Sequence, residues 1–242
     1  MNNDFYIGYL SKAPPSLAKW LKRIVSAAML SGLAVGALLI YDQAPFADSK
    51  FEYGVYREYS GVIEEWPYPM LRTADTAFLL VEPGKHGFSG ASGLQGQTVR
   101  LQGALIKRGP DHMLEVLPAS LREISARSNT PPISLITLGR VRLRGEIVDS
   151  KCYLGVMNPG NGKVHRDCAV RCISGGAPPA YVARDAAGET EVLLLVGSDG
   201  RALNREVLSF VAEPLEISGE LVRSGSNLVL KAEPAHFRRY AE

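Results

Sequence analysis

Eighteen consecutive positions without a charge, Ile24 to Tyr41 (IVSAAMLSGLAVGALLIY), interrupt a chain that otherwise alternates apolar and polar residues over short runs. A run of this length is close to the ~20 apolar residues that cross a bilayer as one helix. It predicts a single transmembrane helix over 24–41, preceded by a segment 1–23 that carries Lys12, Lys19, Lys22 and Arg23. Basic residues on that side, against Asp42 and Asp48 beyond the helix, put the N-terminus in the cytoplasm and the rest outside. In a bacterium this means the inner membrane, with C-terminal domains that are periplasmic or extracellular. A cleaved signal peptide competes, although its basic region would lie nearer the start and its apolar core would be shorter. Gly32 and Gly36 form a small-xxx-small pair, a face on which a partner helix can pack.

Beyond the helix the pattern has period two and repeats. Gly96–Arg122 aligns without a gap on Ala212–Arg238 at an offset of 116: Gly103 matches Gly219, Gly109 matches Gly225, Pro118 matches Pro234, and Val99, Leu101 and Leu105 fall on Leu215, Ile217 and Leu221. Upstream, Ser60-Gly61-Val62-Ile63 resembles Arg144-Gly145-Glu146-Ile147, and Phe78–Val81 resembles Val192–Leu195. Alternating strands, hairpin turns at Arg108–Asp111 and Ser224–Asn227, and glycines at bends describe a small closed barrel present twice. The expected fold is therefore mainly β: an N-terminal transmembrane helix, then two tandem OB-like barrels. A linker is expected at 42–58, the first barrel at 59–126, a second linker at 127–138 (SNTPP within it) and the second barrel at 139–242.

The copies differ in one place. Between the first-strand glycine and the central apolar strand, the second copy spends about 30 more positions than the first, a metal-binding insertion at 150–179 with a short helix. All three cysteines lie there. His165, Cys168 and Cys172 are three and four apart, so a helix over Val164–Ile173 would put them on one face. Cys152, at the end of a strand, completes a Cys3His set that suits zinc. An iron–sulfur cluster or copper takes the same donors, and a disulfide that leaves one free thiol is the metal-free alternative.

Composition narrows the function. At 46% hydrophobic and 21% charged the chain is not disordered, and a net charge of +2 makes no case for nucleic acid. No nucleophile elbow, phosphate loop, dinucleotide fingerprint or His-Glu-x-x-His is present, and four protein ligands leave a metal no open position, so an enzyme is not expected. His86, His112 and His236 read as loop and hairpin histidines. Trp66 and Tyr68 form an aromatic patch, either for a partner or as a cap on the first barrel.

The segment with Gly145, Val148, Asp149, Cys152, Tyr153, His165, Cys168, Ala169, Cys172, Ile173 and Gly176 resembles one in poorly characterised bacterial envelope proteins. There a Cys-Tyr strand end is followed by His-x2-Cys-Ala-x2-Cys-Ile-x2-Gly. The resemblance implies a periplasmic metal-binding domain. Anchor, barrels and site together lead us to expect an accessory subunit of a membrane redox or respiratory complex, docked on other membrane-protein subunits. An electron-transfer protein, a metallochaperone and a non-catalytic ligand-binding module are the alternatives.

Overall fold

Proline fits the first turn of a helix because its missing N–H has no intrahelical partner there. The computed structural model, which describes residues 13–43, 48–125, 133–185 and 190–240, accordingly starts helix α1 at Pro15 and carries it to Tyr41. It begins ahead of the uncharged run because Lys19, Lys22 and Arg23 are good helix formers and do not interrupt it. Its 27 residues extend about 40 Å at ~1.5 Å each, more than the ~30 Å hydrocarbon thickness. Among the described residues it is the one helix long and apolar enough to cross a membrane. Nothing stands within 4 Å of a side chain added at Gly32 or Gly36. By its contacts the chain divides into two units, 1–46 and 47–242. Residues 1–12 of the expected cytoplasmic segment lie outside the described residues.

The second unit contains two closed five-stranded barrels. The first has strands β1 (Ser49–Glu64), β2 (Met70–Arg72), β3 (Ala77–Glu82), β4 (His86–Gly87), β5 (Thr98–Arg108), β6 (Asp111–Val116) and β7 (Arg122–Ser125). It closes in the order β1-β2-β3-β6-β5-β1, with β3–β6 parallel and the other pairs antiparallel; β4 lies on β3 and β7 on β5. The second has β8 (Leu135–Asp149), β9 (Pro179–Arg184), β10 (Thr190–Val196), β11 (Leu215–Ser224), β12 (Asn227–Ala232) and β13 (Arg238–Arg239). It closes as β8-β9-β10-β12-β11-β8, again with one parallel pair, β10–β12. Strands β6 and β12 fall 116 positions apart, as do their hairpin residues Gly109 (φ 53°) and Gly225 (φ 59°), whose positive φ glycine adopts without strain.

Two boundaries differ from the sequence reading. Strand β1 starts at Ser49, inside the stretch read as a linker, because a bulge between Phe51 and Tyr56 breaks the alternation that would reveal it. Strand β8 starts at Leu135, inside the second expected linker, whose residues 127–132 lie outside the described residues. The β8–β9 connection runs over 150–178, where its counterpart between β1 and β2 runs over 65–69.

Side-chain parity explains the continuous apolar runs. In Leu193-Leu194-Leu195-Val196, Leu193 and Leu195 fill the second barrel with Ile147, Tyr181, Leu215 and Ile217. Leu194 and Val196 point the other way, into a cluster shared with Met70, Leu79, Val81, Ile106 and Met113 of the first barrel. Phe78 and Leu80 in turn fill the first barrel. Both faces of these strands are thus buried, and burial at ~25 cal/mol per Å² on each face ties the barrels into one body.

Trp66 and Tyr68, expected either to meet a partner or to cap the first barrel, reach across that joint. Tyr68 is 3% exposed and donates to Leu195 O at 2.6 Å; Trp66 Nε1 donates to Gly200 O at 3.0 Å. Each needs a buried partner for its polar tip, and both find it on the second barrel.

Asp111 faces the same joint. Burial first, and then the Glu191 carboxylate, push its pKa up from 3.8 to about 6. A carboxyl whose folded pKa lies above its unfolded one contributes stability that is full below about pH 4 and lost as pH rises through 6. Asp111→Asn is therefore expected to stabilise the protein at pH 7.5 by about 1–2 kcal/mol and to do nothing at pH 3.5. Urea unfolding at the two pH values checks this, and an equal effect at both would contradict it.

Candidate metal centre

Strand β8 ends at Asp149, and the carboxylate of that residue shapes the turn after the strand. Oδ1 accepts the Cys152 backbone N–H at 2.8 Å in the way short acidic side chains hold turns, at the start of a one-turn π-helical segment, Cys152–Val156, which the Met157 N–H closes by donating to Cys152 O. Cys152 is fixed on the inward side of that turn. Residues 157–162 then loop to a 3-10 turn, Lys163–His165, followed by helix α2, Arg166–Ser174.

Cys168 and Cys172 stand one turn apart on α2 and face Cys152. All three are free, and their sulfurs lie within 4.8 Å of one another; Cys152 Sγ and Cys168 Sγ are 4.0 Å apart. Cys152, Cys172 and Ala177 form their own small buried cluster. For a zinc ion with bonds of about 2.3 Å, sulfur–sulfur edges are about 3.8 Å in a tetrahedron and about 4.0 Å in a trigonal plane, so the donor set fits a thiophilic ion.

His165 belongs to a second group. It sits on the 3-10 turn rather than on the α-helical face, so its ring departs from the line that i, i+3, i+7 spacing assumes. Nε2 lies 3.1 Å from Asp149 Oδ2, and Asp149, Cys152 and His165 offer donor atoms within 4.8 Å of one another. The four sequence-predicted ligands thus divide between two triads that meet at Cys152. Each triad can hold a metal ion.

Two neighbours were not read from the sequence as donors or charges of the site. Asp149 carried a local signal, an acid three residues before Cys152 at a strand end. Lys85 carried none, since it comes from the β3–β4 hairpin of the first barrel. Its Nζ donates to Cys168 Sγ at 2.7 Å and to Cys172 Sγ at 3.6 Å, and that bond to Cys168 raises the lysine's own pKa. The Cys172 thiol is held down to about 7, first by its hydrogen bond with Cys152 and further by the Lys85 charge. Cys152 is pushed up by the same bond, by burial and by Asp149. One thiolate therefore forms readily near neutral pH, with an ammonium beside it.

A concavity of about 590 Å³ lies elsewhere on the second barrel, between Gly145, Lys163, Arg184 and Tyr240, and none of the cysteines lines it. Cys152 and Cys172 are buried, and Cys168 is half-buried. No protein-family model, no curated protein and no solved structure matches this chain.

Proposed function

We propose that this is a membrane-anchored metal-binding protein, with zinc held by Cys152, Cys168 and Cys172, that serves as an accessory subunit of a membrane redox or respiratory complex on the outer side of a bacterial inner membrane. The two barrels are read as OB-type copies in tandem, with residues 150–178 inserted in the second to carry the metal. The observation that carries this reading is the convergence of all three cysteines of the chain, unpaired, within 4.8 Å, two of them buried and Cys168 half-buried. Thiolates from a strand end and from a helix, brought to one ion, tie the two elements together. When bound, the metal supplies cross-linking of strand end and helix. The chain's own residues do the rest: Asp149 fixes the Cys152 turn, α2 sets the Cys168–Cys172 separation, and Lys85 offsets thiolate charge.

Metal analysis of the full chain, purified in mild detergent without chelator, tests the proposal. Zinc is expected, with the thiolate-bound share lost in Cys168→Ser. Saturation near a thousandfold over the dissociation constant is worth about 4 kcal/mol, so the variant should unfold roughly 10 °C lower. Iron or copper with visible absorption would instead favour electron transfer at the same ligands. Absence of metal with two cysteines oxidised would overturn the proposal.

A further inference from the structure

Cys152 is the shared corner of both donor groups, and we infer that the centre takes two metal ions bridged by its sulfur. One is bound by Cys152, Cys168 and Cys172, and the other by Cys152, Asp149 and His165. The inference rests on the metal-binding reading above and adds to it a second ion, its ligands and its class.

Charge is the first argument. A divalent ion at the three sulfurs, with the Lys85 ammonium beside them, balances three thiolates. That leaves Asp149, which is 0% exposed, as a buried carboxylate that meets the Cys152 backbone N–H and an imidazole that is itself 4% exposed. Buried charge demands a counter-charge. The nearest lysine in sequence, Lys151, is committed to Glu115 at 2.6 Å, so the counter-charge for Asp149 is either a protonated His165 or a metal ion held between the two.

Geometry is the second. Oδ1 of Asp149 already accepts the Cys152 N–H, while Oδ2 and His165 Nε2 approach to 3.1 Å. With bonds of about 2.0–2.1 Å, two N/O donors on one ion are separated by about 2.9 Å in octahedral and 3.4 Å in tetrahedral coordination. The observed separation falls between these. A mixed oxygen, nitrogen and thiolate triad selects a borderline divalent ion of the zinc class, whereas a soft monovalent ion would take the sulfurs alone.

Titration of the metal-free full-length protein in detergent with cobalt(II), a probe with visible and paramagnetic signatures, tests the inference alongside zinc analysis. Wild type is expected to bind two ions per chain. The second equivalent should weaken the low-field paramagnetic signal of the first through sulfur-bridged coupling. Asp149→Asn, which keeps an oxygen for the Cys152 N–H, is expected to bind one ion with the thiolate-to-cobalt band retained. His165→Ala, which leaves that turn untouched, should likewise fall from two to one. One ion in wild type, unchanged in both variants, would overturn the second site while leaving the thiolate site standing. No ion in wild type would overturn both.

Discussion

Glu115→Ala is expected to destabilise the two-barrel unit by about 3–5 kcal/mol, because it strands a buried ammonium. Lys151 is 3% exposed, although it sits in the connection beside Cys152. Its Nζ crosses to the first barrel, where it meets Glu115 Oε2 at 2.6 Å and donates to the carbonyl oxygens of Glu82 and Gly84 at 2.8 Å each. Removing the carboxylate leaves a charge with two dipoles and no counter-ion, in a place that water does not reach. Unfolding followed by the fluorescence of Trp66, whose ring lies at the joint, should show a midpoint roughly 6–20 °C lower. Glu115→Leu combined with Lys151→Met should recover much of the loss, since apolar replacement of a buried pair is often close to neutral. If the single variant matched wild type, Lys151 would have to find water on unfolding of the joint alone, and the barrels would not be one cooperative body.

That ion pair also shows where the sequence stopped being readable. The helix was legible because absence of charge over a bilayer's length is a one-dimensional signal, and its early start at Pro15 was not, because Lys19 and Lys22 look polar yet favour helix. The duplicated hairpins were legible because β5–β6 and β11–β12 keep a fixed offset with matched glycines. The joint was hidden because parity tells which residues share a face and not what covers that face. Val192–Leu195 reads as an apolar strand, but nothing in it says that Leu194 packs on the other barrel, and nothing local tells Trp66 and Tyr68 apart as patch or cap or gives Lys151 a partner. Likewise the cysteines announced a site by type and spacing. Asp149 was visible only as a residue of the strand end, and Lys85, 83 positions before Cys168, could be joined to it by tertiary structure alone. His165 shows the reverse failure: a spacing that implies one helical face, cut short because helix α2 begins one residue later.

A methyl group at position 175 should act on the site without touching a sulfur. Gly175 follows the last turn of α2, and a Cβ placed there would stand 1.9 Å from the carbonyl oxygen of Lys85, closer than any contact allows. The approach is this tight because the hairpin is bonded to the helix end: Gly87 N–H donates to Gly175 O at 3.0 Å, and Gly87 itself has no room for a side chain against Gly176 O. Two backbones in contact leave no flexible atom to yield, so Gly175→Ala must move the hairpin. The expected cost is about 1–3 kcal/mol, the range for overpacking. Moving the hairpin also withdraws the Lys85 ammonium from Cys168 and Cys172. Alkylation of the metal-free protein at pH 7 should slow several-fold, because fewer thiolates persist without the neighbouring cation. Lys85→Met removes the charge with the hairpin in place, and is expected to slow alkylation similarly with a smaller loss of stability. Were Gly175→Ala to unfold normally and alkylate at the wild-type rate, the contact between the first barrel and α2 would not be what holds Lys85 on the sulfurs.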